Sequence, residues 1–140
     1  MVSEEETDAL DETDLIAAAR DIQEQVYAPY SNYRVGAALE TASGEIYVGC
    51  NFEVVNYSNS LHAEEVALAN ALTDGHRSFT RFAVSSHQRD GLTPCGMCRQ
   101  TLYEFCDSDL EILSDAGDTI DRYTLGELLP NSVTKDMIID

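Results

Sequence analysis

Apolar residues recur along this chain with two different spacings, and the switches between them outline its elements. Leu15, Ile16, Ala19, Ile22 and Val26 follow one another at three- and four-residue steps, the pattern of one helical face. Thr13 or Asp14 can cap its start, and Pro29 lies just beyond its end. Residues 34–40 and 45–50 are instead apolar runs rich in Val, Ile and Tyr, and Thr41-Ala42-Ser43-Gly44 between them predicts a hairpin. A second helix is expected over 62–72, closed by Asp74-Gly75. Residues 81–86 read as a buried strand, 96–106 as a third helix and 110–113 as another strand. A last strand over 120–123 precedes a short helix over 124–129, stopped by Pro130. Residues 1–12 are acidic and weakly apolar, which predicts a flexible tail ahead of one domain spanning 13–140.

The link between the last two strands decides how they pair. Only Ser114-Asp115-Ala116-Gly117-Asp118-Thr119 separates Leu113 from Ile120, and these are mostly turn formers. Parallel neighbours need a crossover of about a dozen residues or more, so these two strands must run antiparallel. The expected fold is a three-layer α/β/α domain around a mixed five-stranded sheet.

Composition narrows the function classes. A chain of 140 residues can bury a core without a disulfide framework. Its four cysteines, two of them in C-x-x-C, point to metal binding in a reducing compartment. Met1-Val2-Ser3-Glu4-Glu5-Glu6 has neither a basic nor an apolar leader region, and no apolar run approaches a membrane span. A soluble, cytoplasmic protein is expected. The net charge of −18, from 26 acidic and 8 basic residues, disfavours nucleic acid, which is bound largely through Lys and Arg. Lys135 is the only lysine, and so acidic a surface fits high salt, where its self-repulsion is screened.

Two short segments carry the chemistry: His62-Ala63-Glu64 and Pro94-Cys95-Gly96-Met97-Cys98. Zinc takes nitrogen and sulfur donors, and a catalytic zinc stops at three protein ligands so that water can hold the fourth position. His62, Cys95 and Cys98 are the expected ligands of a Zn2+ cofactor. H-x-E followed by P-C-x-x-C is a known signature of zinc-dependent nucleobase deaminases, with the glutamate as general acid and base. Cys95 and Cys98, at i and i+3, share one helical face, and a helix N-terminus favours their thiolate forms. Residues i and i+2 of a helix diverge by ~200°. His62 and Glu64 can therefore serve one centre only if His62 stands at the helix start, with Ser58, Asn59 or Ser60 available to cap it. Zinc, two thiolates and a neutral imidazole sum to zero charge, which leaves the metal able to acidify water. Glu64 would then carry the protons. A structural zinc would instead close with a fourth ligand, for which His76, His87, Cys50 and Cys106 are the spares, and would leave Glu64 without a role.

These segments, together with residues 28–38 (APYSNYRVGAA), Gly49-Cys50-Asn51-Phe52-Glu53 and Tyr57-Ser58, resemble the small, single-domain, tetrameric type of cytidine deaminase. The similarity runs from about Leu15 to Pro130. It implies hydrolytic deamination of free cytidine and deoxycytidine to uridine and deoxyuridine in pyrimidine salvage, by a homotetramer with a nucleoside substrate and no nucleic-acid or membrane partner. It also implies that Asn51 and Glu53 bind the ribose hydroxyls and that Tyr33 and Ala63 contact the nucleoside. An amide and a carboxylate at i and i+2 of an extended segment face the same way and suit such hydroxyls. Three features depart from the resembled pattern. His62 stands where most small members have cysteine, and Glu65 where they have an arginine. Val54-Val55-Asn56 replaces an Asn-Ala-Ala-like segment, and no aromatic follows Leu128-Leu129-Pro130. A neutral His62 removes the extra negative charge that the arginine would offset. The alternatives are another small-molecule aminohydrolase acting on a modified cytosine nucleoside, and a non-catalytic structural zinc domain.

Overall fold

Alternation along the strands decides which side chain faces which layer. The computed structural model describes residues 4–139, with side chains from residue 12 onward. Its elements are α1 (Glu4–Asp21), β1 (Gly36–Thr41), β2 (Ile46–Cys50), α2 (Ala63–Thr73), β3 (Phe79–Ser85), α3 (Gly96–Phe105), β4 (Glu111–Asp115), β5 (Ile120–Thr124) and α4 (Leu125–Leu128). Ala38, Ala83 and Leu113 pack with Leu15, Ile16 and Ala19 of α1. Their strand neighbours Ala37, Leu39, Phe82, Val84 and Ile112 point the other way, into a core shared with Ala67 and Leu68 of α2 and Leu102 of α3. With both faces covered, the central strands read as continuous apolar runs.

The sheet order is β2-β1-β3-β4-β5. β1 pairs antiparallel with both β2 and β3, β3 pairs parallel with β4, and β4 pairs antiparallel with β5. The three layers and the antiparallel last pair are as the sequence predicts. Because β2 and β3 both oppose β1, they run in the same direction, and the chain leaves them at the same edge of the sheet. The segments that lead from them into α2 and α3 therefore meet there, which brings residue 62 beside residue 95.

Two glycines set how closely the layers approach. A Cβ on Gly36 would lie 1.9 Å from the Ala19 carbonyl oxygen of α1, and one on Gly49 would lie 2.3 Å from the Ala67 nitrogen of α2. Any side chain at either place would push a helix off the sheet.

Three boundaries differ from the sequence reading. The backbone is helical from Glu4, inside the stretch expected as a flexible tail, whereas residues 1–3 lie outside the described residues. α1 also ends at Asp21 and tightens into a 3₁₀ turn over Ile22–Gln25, so that Gln23 is buried while Ile22 and Val26 are only half-buried. β4 runs on through Ser114 and Asp115, which had read as turn formers. Asp115 accepts two hydrogen bonds from Arg20, at 2.6 and 2.7 Å, and one from the Ser85 hydroxyl at 2.7 Å. The guanidinium, helped by Ser85 and the Gly117 N–H, holds the Asp115 carboxyl down at about 2. A carboxylate so fully paired can lie in a buried strand.

Candidate metal centre and active site

The start of α2 and the start of α3 supply the donor atoms. His62 is the N-cap of α2, with extended φ/ψ of −80° and 153°, and Cys95 is the N-cap of α3. Pro94 accordingly lies just before the cap of α3. His62 Nδ1 lies 3.4 Å from Cys95 Sγ and 3.3 Å from Cys98 Sγ. Zinc bonded tetrahedrally at about 2.0 Å to nitrogen and 2.3 Å to sulfur would separate such ligand pairs by roughly 3.5 Å. The donor set and its spacing fit that metal. Among the described residues no other His, Cys, Asp or Glu joins this group. The spares behave otherwise: His76 lies with Glu45 and Asp74, and Cys106 is buried in the core.

Glu64 is 6% exposed. Burial pushes its carboxyl up, partly countered by its own backbone N–H, His62 and the Cys98 thiol. Cys98 is also buried, and desolvation together with the Glu64 carboxylate pushes its thiol up strongly. A proton on that sulfur must leave when a metal binds.

The expected cap of α2 is replaced. Neither Ser58 nor Asn59 nor Ser60 serves, since Ser60 Oγ accepts from the Val54 N–H at 3.1 Å and Ser58 Oγ donates to Asn56. The Glu65 carboxylate instead accepts the His62 backbone N–H at 2.9 Å.

Beside the donors lies a cavity of ≈330 Å³ lined by Tyr33, Asn51, Glu53, His62, Ala63, Glu64 and Cys95, and also by Leu92 and Thr93. Of the eight site residues expected from the sequence, only Cys98 lies behind this wall. A second lobe of ≈330 Å³ shares Asn51, Glu53 and His62 and opens towards Phe52, Tyr57 and Leu61. Asn51 is partly committed, because its Oδ1 accepts the Val35 N–H and its Nδ2 donates to the Tyr33 carbonyl, both at 2.9 Å. An amide oxygen can accept a second hydrogen bond and an amide nitrogen can donate a second, so both groups keep capacity beyond these bonds. Glu53 accepts the backbone N–H groups of Tyr30 and Ser31, at 3.1 and 3.0 Å, and the Ser31 hydroxyl. The Ser31 bonds hold its carboxyl below the usual range, so it stays ionised.

Sequence reasoning passed over two supporting residues. Ser31 sits within the quoted 28–38 segment but had no assigned task. Arg99 follows Cys98 and donates to the Pro94 and Leu128 carbonyls, both at 2.6 Å, and to Thr93 Oγ1 at 2.9 Å, pinning the cysteine-bearing turn. Its place directly after C-x-x-C was the only available signal.

The chain matches the family model described as the cytidine and deoxycytidylate deaminase zinc-binding region over residues 10–114. It is 40% identical over 128 residues to a cytidine deaminase of Sporosarcina psychrophila, covering 91% of this chain and 94% of that one. A cytidine deaminase of Halalkalibacterium halodurans is 35% identical over 132 residues, covering 94% of this chain and all of the relative. The crystal structure of a cytidine deaminase from Burkholderia pseudomallei superposes with a TM-score of 0.82 at 38% identity, covering 86% of this chain and 98% of that chain.

Proposed function

The chain belongs to the cytidine and deoxycytidylate deaminase zinc-binding family, and from that premise we propose that it is a zinc-dependent hydrolase that deaminates cytidine and deoxycytidine. The observation that carries this reading is the convergence of His62 Nδ1 with two cysteine sulfurs at 3.4 and 3.3 Å, beside a buried glutamate in one cavity. His62, Cys95 and Cys98 would hold the zinc. When bound, zinc supplies a Lewis acid that makes water a strong nucleophile near neutral pH. Glu64 takes the proton of the water that attacks C4 of the cytosine ring and delivers it to N3. As the carbon–nitrogen bond breaks, Glu64 takes the second proton of that water, now on the C4 hydroxyl, and gives it to the departing amine, which leaves as ammonia while the C4 carbonyl forms. Burial suits Glu64 to this work by raising its carboxyl toward the working pH.

The remaining wall orients the nucleoside. Ala63 is the first residue of α2, so its N–H has no intrahelical partner and can donate to the pyrimidine carbonyl. Tyr33 packs against the nucleoside, and Asn51 and Glu53 engage the sugar hydroxyls through the valences their protein partners leave free. Inside a polynucleotide the 3′ oxygen is esterified, and Glu53 would face a phosphate. The net charge of −18 opposes a strand further. Cytidine and deoxycytidine should react well, free cytosine and the monophosphate weakly, and single-stranded DNA not at all.

We further infer a homotetramer in the cytoplasm, active in pyrimidine salvage and adapted to high salt. Tyr57, which lines the second lobe, is 68% exposed, and Val55, two residues before it, is 82% exposed, an apolar surface that a neighbouring subunit would cover. Among the described residues no helix is long and apolar enough to cross a membrane, and none of the four cysteines is in a disulfide, which accords with a reducing compartment. With the Debye length falling from ~30 Å at 0.01 M to ~3 Å at 1 M salt, assembly should strengthen as salt rises. The deciding experiment is ammonia release from a panel of nucleosides, bases and a cytosine-containing oligonucleotide, with and without a chelator. Release from cytidine that the chelator abolishes supports the reading; no turnover of cytidine, or equal rates on the oligonucleotide, defeats it.

A further inference from the structure

Glu65 follows the proton carrier directly, and as a charge it works against the centre. It adds a negative group beside Glu64 and two cysteines, and its field pushes the Cys98 thiol and the Glu64 carboxyl further up. Its contact explains what it contributes. Glu65 Oε1 accepts the backbone N–H of His62 at 2.9 Å, from the third position of α2 back to the N-cap. That N–H has no helical partner, and a glutamate or glutamine three residues on is the side chain that reaches it.

His62 is thereby fastened on every side of its backbone. Its own carbonyl accepts from the Val66 N–H at 3.1 Å. The preceding Leu61 exchanges two hydrogen bonds with Phe52, at 3.1 and 3.2 Å. Only the N–H, at the pivot between the extended segment and the helix, depends on a side chain. The imidazole is 3.4 and 3.3 Å from the two sulfurs only while that pivot keeps its angles. Cys95 and Cys98 sit on a different element, whose turn Arg99 braces independently.

We propose that Glu65 is a positioning residue that presets His62 for the metal by holding its backbone N–H, so that the ligand is in place before zinc arrives. The proposal rests on the reading of His62 as a zinc ligand. It concerns geometry: an uncharged acceptor of the same length should serve equally well.

The test is zinc affinity of the full chain, measured by competition with a chromophoric chelator, together with the absorption spectrum of the cobalt-substituted protein. Glu65→Ala should weaken zinc by about 10–100-fold, the usual cost of removing an outer partner of a metal ligand. Its cobalt bands should shift or broaden. Glu65→Gln keeps the acceptor and loses the charge, so its affinity should stay within about threefold of the parent with an unchanged spectrum. Parent-like affinity in Glu65→Ala overturns the proposal. So does a loss in Glu65→Gln as large as in Glu65→Ala, since charge would then be what matters. Should Glu65→Ala not fold, Glu65→Gln decides alone, and more than a tenfold loss there is fatal. His62→Ala separates the premise from the proposal. If it binds zinc like the parent, His62 is not a ligand; if it loses zinc while Glu65→Ala keeps it, only the positioning role fails.

Discussion

The two ends of α2 each gather a histidine and anionic groups within reach of one another, and they behave differently. At the start, His62 meets Cys95 and Cys98, with Glu64 buried alongside. At the far end, His76 meets Glu45 and Asp74. There the Tyr47 hydroxyl donates to Asp74, with Glu45 Oε2 3.2 Å from the same oxygen, while His76 Nε2 lies 3.3 Å from Glu45. The tyrosine and histidine rings pack at 5.2 Å between centroids. The hydrogen bond to Asp74, then desolvation and then Glu45, push the Tyr47 phenol up, so it remains a donor. The far cluster thus satisfies its carboxylates from its own hydroxyl and ring, in solvent, at the negative pole of the helix. The near cluster has both sulfurs at the start of α3, where the dipole works against the burial that pushes the Cys98 thiol up, and its one carboxylate is buried where proton affinity rises. Donor type, burial and dipole sign, rather than proximity alone, separate a metal centre from a surface ion pair.

The largest expected effect comes from removing a near-end ligand. Cys98→Ala should lose its zinc and all detectable activity; elemental analysis showing full occupancy would refute the ligand assignment. Glu64→Gln should next separate metal from chemistry, keeping zinc while kcat falls by ~10⁴-fold or more, the upper end for a general acid–base. Near-normal turnover would remove Glu64 from the mechanism. Zinc binding should also weaken as pH falls, because burial and Glu64 push Cys98 up and its proton competes with the metal. Mass action then gives about tenfold per pH unit for each proton displaced; chelator competition between pH 6 and 8 measures the slope.

A smaller effect belongs to the sugar side of the cavity. Glu53→Ala should raise KM for cytidine by roughly 10–100-fold, the worth of a charged hydrogen bond, and leave the weak reaction of free cytosine unchanged. Equal losses on both would place Glu53 outside sugar recognition. The least effect is expected at the far end. His76→Ala should keep one zinc per chain and parental kcat/KM, and a fall in zinc content there would break the contrast between the two ends.

The sequence by itself determined the layer order and the donor types that gather at the start of α2 and α3, because both follow from local spacing. Periodicity works for Leu15, Ile16 and Ala19, or for Ala37 against Ala38, because burial there follows local spacing. The six residues between Leu113 and Ile120 decided antiparallel pairing because a chain that short cannot cross over. The motif spacing placed His62 at a helix start, because no regular helix could otherwise aim His62 and Glu64 at one point.

Only the tertiary structure decided what holds those groups. It sends β2 and β3 in the same direction, so residues 62 and 95 meet. It commits half of Asn51 to Tyr33 and Val35, ionises Glu53 through Ser31, and stretches β4 over Asp115 because Arg20 reaches it. These bonds join residues from 16 to 95 positions apart, and a local pattern carries no trace of a partner so distant. Glu65 is the instructive exception: its partner is three residues away, yet a capping bond and a missing positive charge look alike until the backbone is seen to turn at His62.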